Sequence, residues 1–429
     1  MRKLISFFLT VCFTLFMLNT PCFPSCRSLA ADIAPRYMKD SDGIFKKAYY
    51  SFDRSLTFAG EASATDSSAT LMFTGDLMCL KGQQFAALNG QKYDFSPSFQ
   101  YIRKIFDAAD LRVGNLETLI SSSNPLTKDR VNAANGSPQC NGPVSYLKDL
   151  RRTGFDVFVT ANNHCCDWGS IGIDETLEML DLYGFIHTGT RRSDEAVPNN
   201  VIVNVKGINV GIISTTHLIN QRESLTPSQM SLMVNNFSPS TIAADIAGAK
   251  AAGAEFIVVY AHWGIENTHN LVDYQISDAT VIAESGADLI IGSHPHCLQH
   301  GDEITTSDGR SVPVIYSMGN FVSSMGREIN NDTIILKVGI KKSGDAVAIT
   351  SYDYIPCHVL SSDLVITPVS FADESTAASW AAQKPFILPS MKQFIPSAAQ
   401  RSALTSAAGR INSIFKDMKE LSLDRLISN

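Results

Sequence analysis

The chain has 429 residues, 45% of them apolar and 18% charged, and a net charge of −7. Length and apolar content indicate a globular protein with a substantial core, built as one large domain with appendages or as two domains. The acidic balance, steeper still once the basic first 30 residues are set aside, argues against nucleic acid or an anionic membrane surface as the main partner.

Residues 1–30 start with Arg2 and Lys3, run apolar over 4–18 and reach Ser28-Leu29-Ala30. A basic start, a short apolar run and small residues before a cleavage point describe a secretory signal peptide. The run is shorter than the roughly 20 residues of a bilayer span. Because 21–27 is a poor cleavage region, the segment is expected to serve as a signal peptide or as an N-terminal membrane anchor. Either way the chain is expected outside the cytoplasm, secreted or attached to the membrane. Cys22 and Cys26 lack the small-residue context of a lipidated cysteine. Beyond them lie Cys79, Cys140, Cys165, Cys166, Cys297 and Cys357. Their spacing fixes no disulfide pairing, and each reads as a buried small hydrophobe.

Residues 31–69 read as a linker, polar and irregular apart from a short helix expected around 44–52. The body follows over 70–360. The extension, 361–429, is punctuated by Pro368, Pro385, Pro389 and Pro396. It then repeats Leu404, Ala408, Ile411, Phe415, Met418 and Leu421 at helical spacing. That stripe predicts an amphipathic helix packed on the body.

Within the body, apolar runs lead repeatedly into polar motifs. Leu71-Met72-Phe73 leads into Gly75-Asp76-Leu77-Met78, and Leu111-Arg112-Val113 into Gly114-Asn115-Leu116-Glu117. The run 155–159 leads into Asn162-Asn163-His164. The run 256–260 leads into His262-Trp263-Gly264 and Glu266, and 288–291 into Gly292-Ser293-His294-Pro295-His296. Helical segments are expected between them at 98–109, 144–153, 173–183, 241–252 and 278–284. Strands alternating with helices imply an α/β sheet covered by helices, with ligands bound outside the carboxyl ends of the strands. One such polar end is an ordinary capped turn; five imply convergence on one site. Imidazole mixed with carboxylate suits Mn²⁺, Zn²⁺ or Fe²⁺ better than Ca²⁺. If the segment around Pro295 is extended, His294 and His296 project to the same side.

In order and over roughly 70–325, these motifs, with Ala161-Asn162-Asn163-His164, Asp167, Gly169, Gln299 and Tyr316-Ser317-Met318-Gly319-Asn320-Phe321, resemble the CapA family. These are capsule (poly-γ-glutamate) synthesis proteins, a branch of the calcineurin-like metallophosphoesterase superfamily. The resemblance implies a four-layer α/β/β/α sandwich of the metallophosphoesterase type with one or two divalent metal ions at the strand ends. It puts Asp76, Asn163, His262, His294 and His296 at metal-ligand positions. His164 falls where a histidine contacts the phosphoryl oxygen or protonates the leaving group, with Asp167 to orient it. Glu117 or Asn115 stands where a bridging aspartate is usual, and Glu117 is favoured because it has the charge. Asn162, Trp263, Glu266 and Asn320 are expected behind the ligands or in the pocket wall, with core packing an equal reading for Trp263 and a structural turn for Asn320.

Two departures accompany the match. Met78 stands where the superfamily has a histidine, which implies a weaker or single-metal site, and the second motif lacks the usual Gly-Asp. The function implied is an exported metal-dependent phosphoester hydrolase of capsule or poly-γ-glutamate biosynthesis, working with the envelope's polymer-synthesis or export machinery. One alternative is a non-catalytic metal-binding subunit of that machinery. A second is a metal-dependent hydrolase of γ-glutamyl or peptide amides.

Overall fold

Alternating apolar runs and helices build two facing sheets. A computed structural model describes residues 48–50, 55–58, 66–130, 136, 138–194, 200–382 and 395–423. The expected export segment 1–30, with Cys22 and Cys26, lies outside the described residues.

In chain order the strands begin with β1 (Ala48–Tyr50), β2 (Ser55–Phe58), β3 (Asp66–Leu77), β4 (Leu88–Asn89) and β5 (Lys92–Tyr93). Then come β6 (Leu111–Leu116), β7 (Val157–Val159), β8 (Ile186–Thr188), β9 (Asn200–Val205), β10 (Ile208–Thr216) and β11 (Phe256–His262). Next are β12 (Leu289–Ser293), β13 (Leu298–Thr305), β14 (Ser311–Met318) and β15 (Asn320–Val322). The last are β16 (Asp332–Ser343), β17 (Ala346–Leu360), β18 (Val365–Pro368) and β19 (Lys419–Glu420). The helices are α1 (Lys81–Ala87), α2 (Ile102–Phe106), α3 (Ser145–Thr153), α4 (Gly169–Leu182) and α5 (Pro227–Met233). They continue with α6 (Pro239–Ala251), α7 (Asp273–Glu284), α8 (Glu374–Ala382) and α9 (Ala398–Ile414).

One sheet has the order β1-β2-β9-β10-β11-β12-β14-β13; the other runs β18-β17-β16-β3-β6-β7-β8, with β15 beside β3 and β19 beside β17. The centre of each is parallel, β10-β11-β12-β14 in the first and β3-β6-β7-β8 in the second. Their carboxyl ends deliver the polar motifs.

The two-residue period of a strand explains the layering. Leu71, Phe73 and Val113 from one sheet meet Val210, Val258, Tyr260 and Ile291 from the other in an inner core. The alternate residues turn outward. Ile257, Val259 and Ile290 pack under Ile246 of α6 and Ile282 of α7. On the opposite outer face, Met72 and Phe158 share a core with Leu147 and Leu150 of α3 and Leu177 of α4. Helices, sheet, sheet, helices is the four-layer α/β/β/α order, and strands covered on both faces explain the near-continuous apolar runs.

The extension packs on the body. Helix α9 contributes Ala407 and Ile411 to the inner core, with Phe415 just beyond its end. Arg410 on the same helix donates to Asp332 at 2.6 and 2.9 Å, and His358 Nδ1 lies 2.7 Å from that carboxylate. No helix among the described residues is long and apolar enough to cross a membrane.

The linker expectation for 31–69 is corrected in part. β1 and β2 add to the edge of the first sheet beside β9, and β3 begins at Asp66, paired with Ser343. The helix expected at 44–52 is strand over its described part. Pairing with a distant strand outweighs local composition there, which a single segment cannot reveal. The helix expected at 98–109 is shorter, a 3₁₀ turn at Ser96–Phe99 followed by α2. Helix α7 begins before the expected 278, where the Val272 amide donates to Gln275 Oε1 at 3.1 Å and caps its start.

Candidate metal centre

The site begins with a defect in a strand. β3 and β6 are in register at Phe73 with Val113 and again at Asp76 with Asn115, so β3 carries one more residue between these pairs. Such a bulge bends the strand and re-aims the next side chain. The next side chain is Asp76. Gly75 belongs to the bulge because a Cβ there would fall 1.9 Å from the Gly319 carbonyl oxygen, which also accepts from the Asp76 amide at 3.0 Å. Gly75→Ala is therefore expected to cost about 1–3 kcal/mol through overpacking. Thermal unfolding checks this, and an unchanged midpoint would remove the tight bulge from the account.

Asp76 is fully buried and fixed by its neighbours. Asn115 Nδ2 donates to its Oδ1 at 2.8 Å and the His294 amide to its Oδ2 at 3.3 Å. Asn162 Nδ2 in turn donates to Asn115 Oδ1 at 3.2 Å and to the Leu116 carbonyl at 2.9 Å, while Asn162 Oδ1 accepts from the His164 amide at 3.1 Å. The two asparagines are engaged in holding other groups. Asn115 is consumed by Asp76 and Asn162.

Glu117 is the contrast. It is 0% exposed, and neither carboxylate oxygen has a hydrogen-bond partner among the described residues. Its Oε1 lies 3.6 Å from His262 Nε2 and 3.7 Å from His296 Nε2. Burial, and then the Asp76 carboxylate beside it, pushes Glu117 well above the usual carboxylate range. Burial, followed by the neighbouring imidazoles, holds His262 and His294 well below the usual histidine range. The unpartnered His294 Nδ1 is buried as well. A buried carboxylate without a partner costs several kcal/mol, about 3–5 where an ion pair is broken. Neutral imidazoles with available lone pairs are the form that binds cations. A divalent cation resolves both conditions, so this donor set fits one.

Among the described residues, two overlapping groups of donors within 4.8 Å of one another include Glu117, one with Asp76 and His296 and one with His262 and His294. Glu117 belongs to both. Asn163 Oδ1 lies 3.1 Å from His262 Nε2 and so borders the second group. Surrounding residues set the rings. Ser293 Oγ lies 2.9 Å from His262 Nδ1, and Asn320 Oδ1 lies 2.9 Å from His296 Nδ1 while Asn320 Nδ2 donates to Ser323 Oγ at 2.9 Å. Partners of this kind fix which ring nitrogen faces a metal. The segment that carries the paired histidines is bent rather than extended. His294 has φ 95° and His296 φ 56°, so the turn, and not strand alternation, brings the rings together.

His164 stands next to this cluster. Its Nδ1 is 2.7 Å from Asp167 Oδ2, and the same oxygen accepts from the Cys140 amide at 2.6 Å. Burial works against a charged ring, but Cys140 and Asp167 beside it together outweigh that and hold His164 well above the usual range. The structure therefore sets a donor set that fits a cation beside a buried histidine paired with a carboxylate.

A family model described as bacterial capsule synthesis protein PGA_cap matches residues 70–325. The chain belongs to this family. It is 25% identical over 295 residues to the capsule biosynthesis protein CapA of Bacillus anthracis, covering 68% of this chain and 67% of that one. To the PGA biosynthesis protein CapA of Bacillus subtilis (strain 168) it is 29% identical over 289 residues, covering 65% and 70%. Among solved structures it is similar to the calcineurin-like phosphoesterase YfkN from Bacillus subtilis, at TM-score 0.41 and 13% identity across 80% of this chain and 99% of that one.

Within the capsule-synthesis framework, some expected residues sit elsewhere. Trp263 is not in the pocket wall. It is 0% exposed in the core under α6 and α7, with Nε1 donating to the Tyr316 carbonyl at 2.9 Å, because strand alternation turns it away from His262. Glu266 is exposed at the mouth, with an oxygen within 4.8 Å of donors on His294 and His296. Gln299, matched in the motif, braces the loop that carries Glu266 by donating to the Thr268 and Asn270 carbonyls at 3.2 and 3.0 Å. Met78 is buried, and its carbonyl accepts from Gln83 Nε2 at 2.7 Å and Tyr146 Oη at 2.9 Å. Sequence reasoning gave no role to Ser293 or Cys140. Ser293 was visible in its motif, one residue before His294; Cys140 had no signal, because a loop brings it to Asp167.

Proposed function

We propose that this chain is an exported, metal-dependent phosphoester hydrolase of capsule or poly-γ-glutamate biosynthesis. The observation that carries the reading is Glu117, a fully buried carboxylate with both oxygens unpartnered among three histidines. Bound Mn²⁺, Zn²⁺ or Fe²⁺, one ion or two, would polarise a phosphoryl oxygen and lower the pKa of a bound water from 15.7 towards about 7.

The chain's own residues do the rest. Asp76, Glu117, Asn163, His262, His294 and His296 hold the cation, and Asn115 and Asn162 keep Asp76 aimed. Ser293 and Asn320 engage the Nδ1 atoms of His262 and His296, leaving Nε2 of each for the cation. His164 hydrogen-bonds the phosphoryl oxygen or gives its proton to the leaving oxygen, while Asp167 fixes the ring through Nδ1. Arg2, Lys3 and the apolar run 4–18 support export, with secretion or an N-terminal anchor as the two outcomes. The partners proposed are the polymer-synthesis or export machinery of the envelope.

Met78 in place of an imidazole favours one rival, a metal-binding subunit without turnover. The purified soluble body, analysed for metal and then given phosphoester and γ-glutamyl substrates, separates the readings. Chelator-sensitive phosphoester turnover is expected. Bound metal with no turnover favours the subunit, and γ-glutamyl turnover alone favours the amide hydrolase.

A further inference from the structure

Beside the Glu117 centre lies a second cluster of different chemistry. A donor atom on each of Cys140, His164 and Asp167 falls within 4.8 Å of the others. All three residues are buried, at 0%, 4% and 2% exposure. The backbone ties them together, with the Cys140 amide donating to Asp167 Oδ2 at 2.6 Å and the Asp167 amide to the His164 carbonyl at 3.3 Å. Asp167 Oδ1 is buried and has no hydrogen-bond partner among the described residues. Hydrogen bonding within the cluster thus leaves one carboxylate oxygen unsatisfied, which in a native interior calls for an explanation.

The donor set supplies one. Sulfur, imidazole nitrogen and carboxylate oxygen together form a softer set than the nitrogen and oxygen donors around Glu117. Thiolate selects Zn²⁺ and other thiophilic cations, whereas Mn²⁺ and Mg²⁺ prefer oxygen. Three protein ligands with an open fourth position is a familiar arrangement for zinc.

We propose that Cys140, His164 and Asp167 form a second cation site, selective for a thiophilic divalent cation such as Zn²⁺ or Cd²⁺. Filling it forms a sulfur–metal, a nitrogen–metal and an oxygen–metal bond, in place of water ligands that the cation gives up to solvent. The thiol proton and the imidazole proton shared with Asp167 pass to water, and no electron is transferred. Its consequence rests on the hydrolase reading: the same cation takes His164 away from the phosphoryl group, so zinc in excess of the Glu117 centre would silence the acid. Binding itself is independent of that reading.

The test uses the full chain loaded with Mn²⁺ and titrated with Cd²⁺, following thiolate-to-cadmium charge-transfer absorption in the ultraviolet and bound cadmium by elemental analysis. Cadmium that displaces manganese from nitrogen and oxygen ligands adds no such band. The parent is expected to show the band and to bind one more cadmium than Cys140→Ser or Cys140→Ala, and His164→Ala to weaken that binding at least about tenfold. Thermal unfolding of each variant identifies any that fails to fold, and the paired substitutions at Cys140 keep the comparison open. A parent without the band, or folded Cys140 variants with the same band and stoichiometry as the parent, would overturn the proposal. Absence of phosphoester turnover would leave this result untouched.

Discussion

Glu117→Gln protein is expected to bind Mn²⁺ or Zn²⁺ on the order of 100-fold more weakly than the parent, measured by calorimetric titration. Loss of a partner behind a metal ligand already costs about 10–100-fold, and Glu117 belongs to both donor groups of the centre. Glutamine keeps the shape and removes the charge, so packing is preserved while attraction is lost. The metal-free proteins should show the opposite order. A carboxyl whose burial raises it well above the usual range costs the fold stability at neutral pH, where the unfolded chain would ionise it, so metal-free Glu117→Gln should melt at a higher temperature than the metal-free parent. A merely structural glutamate would lower stability in both states. Equal affinity in the two proteins would remove Glu117 from the centre.

His164→Ala should behave differently, keeping metal and losing turnover. General acid–base groups contribute about 10²–10⁴-fold, and that is the fall expected in kcat for a phosphoester. Manganese stoichiometry should stay at the parental value, because His164 lies outside both Glu117 groups. Asp167→Asn is expected to lower kcat as well, since the 2.7 Å contact that fixes the ring would lose its charge. A variant that loses its manganese together with its activity would instead make His164 a ligand of the Glu117 centre.

Most of the site was legible because each parallel strand announces its carboxyl end. Apolar runs ending in Asp76, Glu117, Asn163, His262 and the paired histidines became neighbouring strands of two facing sheets, and topology alone brings such ends together. Strand alternation could also have removed Trp263 from the pocket. Tyr260 faces the inner core and Ala261 the outer one, so His262 and Trp263 must part in the same way. The bend at His294 and His296 was not legible, because positive φ at two non-glycine residues is set by the surrounding chain rather than by local preference. Nor were the edge strands β1 and β2, whose pairing partner β9 lies far along the sequence. Cys140 was invisible for a related reason. Its contact with Asp167 is made by a loop whose path no periodicity records.

Asn115 and Glu117 differ in what their oxygens and nitrogens already hold. Sequence could rank the two by charge. Hydrogen bonds separate them physically, since Asn115 spends its amide on Asp76 and accepts from Asn162, while Glu117 has both oxygens free.

Anomalous diffraction from crystals of the Mn²⁺-loaded chain tests the central claim most directly. A manganese peak is expected within coordination distance of the Glu117 carboxylate, shared with Asp76 and His296, with His262 and His294, or with both groups. Manganese-loaded crystals with no peak at Glu117 would contradict it.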